Sequence, residues 1–178
     1  MQVEIVTKIE AASRQLREAI LLFFEERDAI AIHTIVASAH QILSDVGKRK
    51  GVQSAVKNAA ARRDDEVKSF LMSVNYPYNF FKHADRDPDA SINVGPLLQL
   101  TAEFIMDGVV MLQLLAGKIP IEAKAFWAWF VSVHHDQFDD LPKDGEISKL
   151  QVLEVGKWPF PEIVAFVKFS KIASDAGP

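Results

Sequence analysis

Apolar residues recur along this chain at helical spacing almost from its start. Ile5, Ile9, Ala12, Leu16, Ala19 and Phe23 follow one another at steps of three and four, a continuous seam. Glu10, Arg14, Arg17 and Glu18 fall off that seam, so a long amphipathic helix through about Phe24 is predicted. Asp28 is placed to cap a second helix, in which Ile32, Ile35, Ala39, Ile42, Leu43 and Val46 share a face. The run Gly47 to Gly51, GKRKG, is expected to end it, with glycine as cap and the cations complementing the helix dipole. Val52 to Val74 reads as a more polar helix, either peripheral or loose in its first part. Pro77 disfavours helix at Tyr76, so a break is expected there, with a short helix from Tyr78 that ends before Pro88.

The second half of the chain is more apolar. Pro96 suits the first turn of a helix running to Ala116, and Gly117 suits its exit. Another helix is expected from Ile121 to Phe138, with Phe126, Trp129, Phe130 and Val133 on one face. Residues 143–160 belong to a long connection, and Pro161 and Glu162 open a last helix through about Ile172. No stretch alternates convincingly at period two; LQVLEV alone has nothing to pair with. The expected fold is all-α, a single-domain bundle of five to seven helices spanning residues 1–178.

Composition narrows the chemistry. The 178 residues include twelve phenylalanines and three tryptophans, ample core material for one domain. The absence of cysteine excludes disulfides, thiolate metal sites and a cysteine nucleophile, and fits a reducing cytoplasm. A formal net charge of −4 speaks against a broad nucleic-acid surface, so RNA binding gains no support from charge. Val94 to Gly117 has the length of a membrane span, but Glu103 and Asp107 near its middle favour a helix buried in protein over a membrane partner. The N-terminal stretch carries no secretory pattern.

Four polar groupings are candidates for function. Glu103 and Asp107 stand four apart on one helix face. A buried carboxylate there requires a cation, a metal or a proton; the plain alternatives are a structural ion pair with a cation from the 79–86 segment, or a helix edge that reaches water. His33 and His40 share a face at the core boundary, about 10 Å apart along the axis, too far to bind one ion directly. They are either silent hydrogen-bonded histidines, or one of them faces Glu103 or Asp107. His135 and Asp139 have the spacing of a surface metal pair and equally that of a polar helix end; without HExxH or paired Glu-x-x-His patterns no metal is assigned.

The fourth grouping is the densest: NFFKHADRDPDA, Asn79 to Ala90. Asn79, Lys82, His83 and Arg86 fall on one or adjacent helical faces and would grip a phosphate or another small anionic ligand. The lysine would act as point charge, the arginine as fork and the amide as orienting group. His83 is the candidate general acid or base, with Asp85 and Asp87 tuning it or binding a cation. The competing reading is a helix C-terminus followed by an Asp/Pro turn. No cofactor class is indicated: GxGxxG, Walker and GxSxG patterns are all missing.

LFFEERDAIAIHTIVASAHQILSDVGKRKG, NFFKHADRDPDA, EFIMDGVVMLQLLAG and FWAWF together resemble a group of uncharacterised bacterial all-helical proteins, across Leu21 to Phe130. That resemblance implies a small cytoplasmic helical protein and no particular activity. Arg27 and His33, six apart, are similar in spacing to the arginine–histidine signature of the HEPN superfamily of helical ribonuclease and nucleotide-binding domains. In that family the motif lies late in the domain; here it lies between the first two helices. The resemblance implies that Arg27 steadies phosphate charge and that His33 assists proton transfer across a dimer interface. The expected functions are therefore an anion-binding pocket (Asn79, Lys82, His83, Arg86, with Glu103, Asp107 and His33 or His40 nearby), a HEPN-like metal-independent ribonuclease or toxin component, and a non-catalytic homodimer joined through the first helix seam.

Overall fold

The computed structural model describes residues 3–58, 64–85, 87–138 and 154–175. Among these the fold is all-α, with six α-helices and no strand. They are α1 (Lys8–Phe24), α2 (Ala29–Lys48), α3 (Asp64–Lys82), α4 (Leu97–Ala116), α5 (Ile121–Val133) and α6 (Phe160–Asp175), with short 3-10 turns at His135–Phe138 and Val155–Lys157. Most of the 143–160 connection lies outside the described residues.

Local chemistry fixes where the helices begin. Thr7 and Glu10 form a reciprocal capping box at α1, so Ile5 lies before the helix and is exposed, not part of the seam. Asp28 caps α2 by accepting from the Ile30 and Ala31 amides, as its position predicts. Gly117 ends α4 in the left-handed conformation, φ 72°, where a side chain is disfavoured.

Helix α2 packs against α1 on one side and α4 on the other, while α5 and α6 close over α1. The α1 seam is used in this packing: Ala12, Leu16, Ala19 and Phe23 are buried against their own chain. Phe23, Phe24, Phe126, Trp129 and Phe160 meet mainly edge to face, with Phe23 and Trp129 centroids 5.2 Å apart. Helices α2 and α4 are long and apolar enough to cross a membrane by length and composition alone. In this fold they bury their apolar faces on each other and on α1.

Two segments bear on the pattern-based expectation. Helix α3 continues through Pro77 without a break. The proline forgoes only the backbone bond to Ser73 O; one turn earlier Asn75 donates its side-chain amide to Leu71 O and Ser73 its hydroxyl to Phe70 O, both at 2.7 Å. Residues 52–58, the start of the segment read as a helix either peripheral or loose in its first part, are irregular, because three of their polar groups turn inward toward α4. Their path starts at Gly47, which is not the helix cap but a buried residue of the last α2 turn. Its carbonyl accepts from the Val52 amide at 3.0 Å, and a Cβ on it would stand 2.6 Å from Val52 O. Because that obstacle is backbone, Gly47→Ala is expected to lower the urea-unfolding free energy by about 1–3 kcal/mol. An unchanged midpoint would show that the segment can shift freely.

Candidate functional site

Asp107 is the acid that the fold takes out of water. It sits on α4, is 6% exposed, and is surrounded by donors. His40 Nε2 lies 2.7 Å from Oδ2, Ser54 Oγ donates to Oδ2 at 2.6 Å, and the Ala55 amide donates to Oδ1 at 2.8 Å. The Val56 amide approaches Oδ2 at 3.4 Å. Ser54 also accepts from the Lys57 amide at 3.0 Å, a tight turn that aims consecutive N–H groups at the carboxylate. Lys57 Nζ donates to Gln41 Oε1 at 2.9 Å and lies 6.0 Å from the Phe104 ring centre.

The charge state follows from these contacts. Burial pushes the Asp107 carboxyl up, but hydrogen bonds from His40, Ser54 and Ala55 outweigh it and hold the group below the ordinary aspartate value. Burial pushes His40 below the ordinary histidine value despite the neighbouring carboxylate. At neutral pH the pair is therefore an aspartate accepting from a neutral imidazole. Ser54, His40 and Asp107 do not form a nucleophilic relay. Such a relay needs serine and aspartate on opposite ring nitrogens. Here both face Nε2, with Ser54 Oγ 3.3 Å away, while His40 Nδ1 is buried without a hydrogen-bond partner. The cluster is a clamp that fastens residues 54–56 and α2 to α4.

His33 lies two turns before His40, on the far side of Phe104; the ring centroids are 5.5 Å and 4.6 Å from Phe104 respectively. Thr101 Oγ1 donates to Leu97 O at 2.6 Å and so accepts from His33 Nδ1 at 3.0 Å. Nε2 is left as an unpaired buried lone pair. Burial, and to a lesser degree His40, lowers the His33 pKa to about 4.

The residues singled out from the sequence thus fall into separate places. Asp107 meets His40, one of the arrangements anticipated, but Glu103 is exposed, although it stands four residues away on the same helix. Among the described residues no hydrogen bond or ion pair joins either acid to Asn79, Lys82 or His83, and neither acid is among the described lining of the groove that Asn79 and His83 share. Arg86 and Asp139 lie outside the described residues. His135 is exposed and paired with Asp136 at 2.7 Å, and no group of three or more metal-ligating side chains occurs among the described residues. Arg27 is exposed beside Glu25 at 3.4 Å, while His33 has no solvent access.

Among the described residues, the end of α3 and the residues after it line a groove. Tyr76, Asn79, Phe80, His83, Asp85 and Asp87 line a volume of ≈ 380 Å³ at the C-terminal end of α3. Tyr76 and Phe80, one turn apart, have ring centroids 6.0 Å apart. Lys82 turns away from the groove, with its ammonium 5.4 Å from the centre of the Tyr78 ring.

Sequence reasoning missed two features. Ser54 and the Ala55 amide were not recognised as partners of Asp107; the available signal was a serine followed three residues later by a lysine in a segment poor in helical pattern. Glu122 was not recognised as a buried acid, although it opens an apolar helix.

Two outcomes follow. Asp107→Ala strands two buried donors, His40 and Ser54, and the part-buried Ala55 amide, and is expected to cost about 3–5 kcal/mol in chemical denaturation; a loss below about 1 kcal/mol would mean that water replaces the carboxylate freely. Acid should destabilise the fold well above the carboxylate range. His33 and His40 have native pKa values below the unfolded one, so stability is full above about pH 6.5 and falls as the pH drops toward 4. His33 alone contributes up to about 3 kcal/mol of that fall. In His33→Gln the proton uptake on unfolding near pH 5 should decrease by about one; an unchanged slope would refute the assignment. No family model, curated protein or solved structure matches this chain, so its functional reading rests on the geometry above.

Proposed function

We propose that the protein is a small-molecule binding module whose ligand occupies the groove at the C-terminal end of α3. One observation carries this reading: two aromatic rings, an amide, an imidazole and two carboxylates from one short stretch converge on a single groove. Apolar walls with a few convergent polar groups are the usual make-up of ligand sites, and its ≈ 380 Å³ falls within their common size range of about 300–1,000 Å³.

The lining also selects the ligand's charge. Asp85 and Asp87 are acidic, the C-terminal end of a helix carries negative potential, and the Lys82 ammonium is directed to Tyr78. The described lining favours a planar ligand that carries an amine, amidine or other hydrogen-bond-donating cation over the small anion expected from the Asn79, Lys82, His83 and Arg86 cluster. Tyr76 and Phe80 supply stacking and cation–π attraction. Asn79 and His83 orient the polar end.

Benzamidine, benzamide and benzoate share a shape and differ in charge, so titrating each while following backbone amide resonances tests both the place and the sign. Shifts should be confined to residues 76–87 and should rank benzamidine over benzamide over benzoate, with benzamidine weakened about tenfold in Asp85→Asn/Asp87→Asn. Preference for benzoate, or shifts elsewhere, would refute this assignment.

A further inference from the structure

Glu122 is the second acid that the fold buries, at 2% exposure, and its surroundings are the electrostatic opposite of the α3 groove. It lies in the first turn of α5 and faces Arg17 from α1 and Lys171 from α6. Both cations reach the same oxygen: Arg17 Nε at 3.4 Å and Lys171 Nζ at 3.7 Å from Oε1. These are long contacts beside the roughly 2.7–2.9 Å of a tight charge-assisted bond, so the cluster is not closed on itself. Arg17 uses only Nε toward Glu122, which leaves both terminal amino groups of its fork uncommitted.

Arg17 and Glu122 line a groove of ≈ 400 Å³ together with Lys124, Ser170 and Lys171. Three cations and one carboxylate thus line one groove, a surplus of positive charge in a chain that is acidic overall. Ile121, at the start of α5, lines the same groove, and Pro120 provides no side-chain cap for the first-turn amides. Uncapped helix N-termini add positive potential and N–H donors. A planar arginine fork, two lysines, a hydroxyl and a helix start form the donor set that recognises tetrahedral oxyanions.

We propose that the groove between α1, α5 and α6 is an oxyanion site that takes the phosphate group of a small soluble phosphomonoester, or free phosphate. Arg17 forms the forked contact, Lys171 and Lys124 neutralise charge, and Ser170 donates a hydroxyl. Glu122 holds Arg17 and Lys171 together between binding events and opposes the anion, which keeps affinity modest and reversible.

The test is titration of the full chain with inorganic phosphate and with phenyl phosphate, at constant ionic strength set with chloride, following amide resonances. Saturable shifts are expected at residues 121–124 and 170–171. Lys171→Gln should weaken binding about tenfold and Lys124→Gln by a smaller factor, both at exposed positions where folding is preserved. Glu122→Gln should tighten it severalfold, an effect that a purely structural ion-pair cluster does not produce. Phenyl phosphate binding more tightly than phosphate identifies the phosphomonoester as the natural class; equal binding identifies free phosphate. Shifts that do not saturate, or equal affinities in all variants, would overturn the proposal. The outcome is independent of the α3 groove, whose residues are not involved.

Discussion

A carboxylate buried in the most apolar helix of the molecule sets the main constraint on this fold. Taking an ionised aspartate out of water costs several kcal/mol unless the interior supplies donors for its oxygens. Here α2 supplies an imidazole N–H, and residues 54 and 55 supply a hydroxyl and an amide, each within 2.8 Å. That requirement explains why residues 52–58 abandon helical geometry, why Gly47 lacks a side chain, and why Lys57 is drawn in beside Gln41. The clamp also governs where the chain leaves α2 on its way to α3, the helix that carries the proposed ligand groove.

The helical architecture was legible because it rests on local signals. The Asp28 cap, the glycine exit at Gly117 and the apolar stripes of α1, α2 and α4 each depend on residues a few positions apart. Pro77 misled because a proline removes only one backbone donor, the one that would reach Ser73 O, and α3 continues without that bond. The α1 seam was correctly seen as apolar, but an apolar stripe does not say whether its cover comes from the same chain or another.

The polar sites were only half legible, for a physical reason. That Asp107 needed company followed from its apolar surroundings, and His40 was among the partners considered. Much of the remaining company is backbone, and a backbone N–H has no sequence signature. Glu103 shows the converse: a spacing of four places two acids on the same side of a helix, yet a modest rotation decides which meets the core and which meets water. Long-range partners such as Arg17 and Lys171 around Glu122 are separated by most of the chain, and only the packing of α1, α5 and α6 brings them together.

Two polar regions of opposite lining result, one with two aspartates and two aromatic rings at the end of α3 and one with three cations at the start of α5, both built on a scaffold whose buried anion is stabilised by hydrogen bonds. The most direct test of that scaffold is the titration of the Asp107 carboxyl, followed through its side-chain carbon resonance in the native protein. A midpoint below the ordinary aspartate value of 3.8 is expected, because three donors favour the charged form. A midpoint above that value, with the carboxyl protonated near neutrality, would contradict the account, since the clamp would then be a neutral acid rather than a buried anion.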